Sequence, residues 1–88
     1  MTKAEINHRV REAVVKALDL PIQPDQLPES EPLFGADGEV DSILSIKLVV
    51  ELEETFGIEV DDDDLTEELF GTVAALAEYV EKKLPARR

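Results

Sequence analysis

Cysteine is absent from this 88-residue chain, so its own side chains can build no disulfide framework, thiolate metal site or thiol nucleophile. Histidine is almost absent. His8 is the one imidazole, and no motif pairs it with a serine as base and nucleophile, so it is read as a surface residue. There is no glycine-rich phosphate loop, and the many carboxylates read as a convex acidic face with no sign of an enclosing pocket. Catalysis is therefore not expected. No apolar run is long enough to span a bilayer, and the polar start Met1-Thr2-Lys3-Ala4-Glu5 lacks the apolar core of a signal peptide. The expectation is a soluble, unprocessed, monomeric protein, and the missing cysteine suits a reducing cytoplasm.

Positive charge is scarce as well. The net charge is −12, and neutralising phosphates takes clustered Lys and Arg, so nucleic acid and anionic membrane surfaces are excluded as partners. No Lys or Arg occurs between Lys47 and Lys82, an interval that holds Glu51, Glu53, Glu54, Glu59, Asp61 to Asp64, Glu67, Glu68, Glu78 and Glu81. One side of the domain is a concentrated negative field, and its partners should be basic; the plainer alternative is a solvated surface that keeps the protein in solution.

What remains is helical patterning around one core. Helix one is expected from about 3 to 18, with Thr2 and Glu5 as a capping box and Ile6, Val10, Ala13, Val14 and Ala17 on one face. A long first loop over 19–41 carries Pro21, Pro24, Pro28 and Pro32, which forbid a continuous helix, while Leu20, Ile22, Leu27, Leu33 and Phe34 could pin it to the bundle. Helix two is expected over 42–56, with Gly57 suited to its left-handed C-cap. A short helix three over about 62–70 has acids at its N-terminal end, where the dipole favours them, and Leu65, Leu69 and Phe70 as its apolar side. Helix four takes 72–84, capped by Thr72, and the tail 85–88 lies outside. No internal repeat or strand-pairing signal appears. The fold class expected is all-α: a small four-helix bundle of three longer helices and one short third helix, in one domain over residues 1–88.

Helix two carries the most informative stretch, Val40-Asp41-Ser42-Ile43. Asp41 is a good N-cap, which leaves Ser42 in the first turn with its hydroxyl outward, and a phosphodiester placed there would face the positive end of the helix dipole. At about 100° per residue, Ser45, Leu48, Val49, Leu52 and Phe56 form the stripe that should enter the core. Ile43, Ile46 and Val50 fall roughly 130° away, on the side of Ser42, with Lys47, Glu51 and Glu54 along the far edge. An exposed apolar line rimmed by carboxylates below a presented serine reads as a docking surface, unless the long loop covers it. A calcium loop does not fit: with Gly38 as its glycine, positions one, three and twelve would be Leu33, Gly35 and Leu44, none of them an oxygen ligand.

On these residues the chain resembles the acyl carrier proteins, within the phosphopantetheine-binding carrier domains. The likeness runs through Asp41-Ser42-Ile43, the Leu48, Leu52, Phe56 spacing, the exit Gly57-Ile58-Glu59-Val60, the acidic third helix and Val73 to Val80. It implies a 4'-phosphopantetheine arm on Ser42, donated by coenzyme A through a magnesium-dependent phosphopantetheinyl transferase, with cargo held as a thioester on the arm's thiol. It further implies that Asp41 assists that transferase and that Ile43, Ile46, Val50, Glu51 and Glu54 dock on partner enzymes, which load acyl or aminoacyl groups in fatty-acid, polyketide or related synthesis. The run from Leu33-Phe34 to Val40-Asp41-Ser42 is also similar to stand-alone carriers loaded by dedicated ligases, D-alanyl carriers among them. An unmodified acidic interaction module is the reading from another class.

Overall fold

The computed structural model describes residues 2–30, 42–65 and 69–84, and for Ser42 and Asp62 the backbone alone. Helix α1 spans Lys3–Leu18. Its start is fixed by a reciprocal cap: the Glu5 N–H donates to Thr2 Oγ1 at 3.1 Å and the Thr2 N–H to Glu5 Oε1 at 3.0 Å, which satisfies two donors a helix N-terminus otherwise leaves unpaired. Its end is fixed by Asp19, whose φ of 53° lets the chain turn back so that the Asp19 N–H reaches the Lys16 carbonyl and the Leu20 N–H the Val15 carbonyl. Ile6, Val10, Ala13 and Val14 fall on one face at helical spacing and are buried.

Helix α2 spans Ser42–Phe56 and α3 spans Val73–Lys83. Both pack against α1, which is the shared wall of the bundle. Leu48, Leu52 and Phe56 from α2 meet Val73, Leu76 and Val80 from α3 and the buried face of α1 in one core. Each large side chain so buried contributes about 1.5–3 kcal/mol relative to exposure. Gly57 ends α2 in the left-handed region at φ 66°, its N–H donating to the Glu53 carbonyl at 2.8 Å. Thr72 opens α3 by accepting from the Ala75 N–H at 3.1 Å.

The class is all-α, and among the described residues there is no strand and there are three α-helices. Where the short third helix was expected, Asp62–Asp64 form a single 3-10 turn and Leu69 and Phe70 a turn, while residues 66–68 lie outside the described residues. Phe70 is buried and Leu69 half-buried, but Leu65 is 42% exposed. The 3-10 turn ends at Asp64, so Leu65 is not carried round to the inner face as an α-helical register would place it.

The first loop is held to the bundle as far as it is described. Leu27 is buried, Leu20 and Ile22 pack on the core, and Pro24–Gln26 make a 3-10 turn. Glu29 is the fastening point: its carbonyl accepts from the Ala74 N–H of α3 at 3.0 Å, and its Oε1 from Asn7 Nδ2 at 2.9 Å, with Arg11 Nη2 at 3.2 Å. Leu33 and Phe34, the other expected pins, lie outside the described residues.

Candidate functional site

Ser42 is the first residue of α2, and Asp41, its expected cap, lies outside the described residues. Below Ser42 the helix separates its two stripes. Leu48, Leu52 and Phe56 are buried, whereas Ile43, Ile46 and Val50 are 68%, 62% and 46% exposed and make a continuous apolar line in water. Such a line loses roughly 25 cal/mol per Å² by staying wet, which is the driving force available to any surface that covers it.

The carboxylates expected to rim that line are not equivalent. Glu54 is exposed, but Glu51 is half-buried and its Oε2 lies 3.4 Å from Lys16 Nζ of α1. Helical angle alone could not foresee this, because the partner comes from another helix. His8, expected on the surface, stands between Glu12 at 3.6 Å and Asp25 at 3.9 Å. Among the described residues no cluster of three or more His, Asp or Glu could hold a metal ion.

A feature the sequence reading missed lies beside the apolar line. A cleft of about 270 Å³ opens between α2 and the segment after it, lined by Ser45, Ile46, Val49, Val50, Glu53, Val60, Leu65 and Phe70. Half-buried Val49 packs on the core as its stripe predicts and also lines this cleft, beside half-buried Ser45. Its far wall is tied down at both ends. The Val60 N–H donates to Glu53 Oε2 at 2.9 Å, while Tyr79 Oη donates to Asp64 Oδ2 at 2.8 Å and Lys83 Nζ to Asp61 Oδ2 at 2.9 Å. Lys83 also stands 5.8 Å from the centroid of the Tyr79 ring. Loss of water around the phenol, with its hydrogen bond to Asp64, holds the Tyr79 pKa above its ordinary value; the hydrogen bond to Asp61 does the same for Lys83.

Residues 8–80 match the family model described as the phosphopantetheine attachment site. The acyl carrier protein of Chlorobium phaeovibrioides is 36% identical over 84 residues, covering 94% of this chain and 100% of that protein, and the acyl carrier protein of Chlorobium luteolum matches to the same extent. This chain belongs to the acyl carrier protein family. Among solved structures it is similar, at a TM-score of 0.73 and 28% identity over 88% of this chain and 97% of the other, to a carrier protein from Agrobacterium tumefaciens. That protein was crystallised with an engineered Bradyrhizobium japonicum glycine:carrier protein ligase and ATP.

The cofactor of an acyl carrier protein is 4'-phosphopantetheine, and the residues here suit it. The N-terminus of α2 brings the positive end of its dipole to Ser42, and α2 bears no carboxylate before Glu51 to repel an anionic phosphodiester. When attached, the arm supplies a thiol for holding cargo as a thioester. The chain has no cysteine of its own for that role. Members of the family are carriers and not catalysts, and they work with enzyme partners; among the described residues of this carrier no helix is long and apolar enough to cross a membrane.

Proposed function

We propose that Ser42 is the residue that receives the 4'-phosphopantetheine arm from coenzyme A, and that the protein shuttles acyl cargo between enzymes of fatty-acid, polyketide or related synthesis. The observation that carries this reading is the position of Ser42 at the head of a helix whose next two outward turns expose Ile43, Ile46 and Val50. Asp41 serves the phosphopantetheinyl transferase beside it. Ile43, Ile46 and Val50 form the contact with each partner enzyme, while Glu54, and Glu51 once parted from Lys16, meet its basic groups. The acidic field speeds encounter by about tenfold or more at low salt, with a screening length of about 8 Å at physiological salt. Binding stays weak, as a carrier that visits several enzymes in turn requires. The unit is one carrier domain over residues 1–88, working as a monomer in the cytoplasm.

Incubation of the apo protein with coenzyme A, magnesium and a promiscuous transferase is expected to add the mass of one arm. Ser42→Ala should gain nothing, and an equal gain on that variant would refute the assignment. An amino acid as cargo is compatible with the likeness to a carrier crystallised with a glycine ligase. Supplying the holo protein with an adenylating ligase, ATP and amino acids, against an acyl-loading enzyme with fatty acids, separates the two cargoes by mass. An unmodified interaction module would instead be recovered from its native cell at the unmodified mass.

A further inference from the structure

All of the chain's carboxylates except Glu5 and Glu12 fall between residues 17 and 81, and in that interval Lys47 is the one basic side chain. It is exposed, and it sits on the edge of the apolar line of α2, one turn beyond Ile43 and one turn before Val50. Its helical neighbour at i+4, Glu51, is turned toward Lys16 of α1 at 3.4 Å. Among the described residues no carboxylate pairs with Lys47. Read down the outer face from Ser42, the order is apolar, apolar, positive, apolar, and then negative at Glu54. Lys47 and Glu54 are about 10 Å apart along the helix axis at 1.5 Å per residue, which exceeds the roughly 8 Å screening length at physiological salt, so a partner meets them as two separate charges.

An apolar surface that closed over Ile43, Ile46 and Val50 would strip water from the Lys47 ammonium and leave it unpaired, which is costly. A uniformly basic surface would set like charge against it. We propose that the phosphopantetheinyl transferase of the same cells docks on this face with a carboxylate over Lys47, set among apolar side chains that cover Ile43, Ile46 and Val50, and keeps its basic groups for the Glu54 end. The proposal rests on the reading of Ser42 as the attachment residue. It adds that recognition on this helix is polarised, with opposite charges of the partner placed at fixed points, where an acidic carrier face alone calls for basic groups throughout.

The test is the rate of arm addition by that transferase from coenzyme A, followed by intact mass, on the wild type and on Lys47→Arg, Lys47→Met and Lys47→Glu. Lys47→Arg should keep the wild-type kcat/KM, showing that the exposed site tolerates replacement. Lys47→Glu should lower kcat/KM by about fivefold or more through KM, with Lys47→Met between, as charge reversal opposite a carboxylate dictates. A Lys47→Glu protein modified as fast as the wild type, or faster, would overturn the proposal while leaving Ser42 as the attachment residue. No mass gain on the wild type, or an undiminished gain on Ser42→Ala, would overturn the underlying reading and the proposal with it.

Discussion

Among the described residues two hold left-handed backbone, Gly57 and Asp19, and they differ in how well they suit it. Gly57 does so without a side chain, and a Cβ added there would meet nothing within 4 Å, so the cost of Gly57→Ala is conformational and not steric. We expect a loss of about 1 kcal/mol in urea unfolding. Asp19 adopts φ 53° with a side chain attached, and Asp19→Gly should change stability in the opposite direction, by up to about 1 kcal/mol in the same measurement. Cap chemistry of this kind was legible in the chain, because Thr2 with Glu5, Gly57 and Thr72 act through backbone within a few residues of themselves. The pairing of Glu51 with Lys16 was not, since 35 positions of sequence separate them and only the approach of α1 to α2 brings them together.

At the scale of elements, the segment from Asp61 to Asp64 is an acidic turn fastened to α3 by Tyr79 and Lys83. The sequence showed acids and a flanking helix but nothing to indicate which carboxylate would find which donor, nor that the turn would stop at Asp64 and leave Leu65 on the rim of a cleft. Both donors favour their protonated forms in the folded state, so the stability they contribute is complete below their ordinary pKa values of 10.0 and 10.5 and is lost as pH rises through the higher folded values. The wild-type melting temperature is therefore expected to fall from pH 9 toward pH 11. Tyr79→Phe should lower stability at pH 7 by about 1 kcal/mol and flatten that alkaline decline. An unchanged decline in thermal melts of the variant would assign it to other groups.

For the whole molecule, the net charge of −12 sets acids close together along the segment from Glu51 to Glu81, and salt bridges to Lys16 and Lys83 relieve little of it. Repulsion of this kind is screened by ions, so moderate sodium chloride or millimolar magnesium should raise the melting temperature. A melting point unmoved or lowered by salt would show that the acids are far enough apart to be indifferent to one another. The all-α class and the two stripes of α2 were readable because a period of about 3.6 residues sorts side chains by face. The cleft was not, because its walls come from two segments whose separation no single-helix pattern records.

The two-sidedness of α2 has a consequence for how such a protein can change. Leu48, Leu52 and Phe56 anchor the helix, while Ile43, Ile46 and Lys47 touch mainly water, so substitutions on the outer side alter stability little. Partner choice can drift, or be rewritten by design, one outer residue at a time, while the scaffold beneath stays intact.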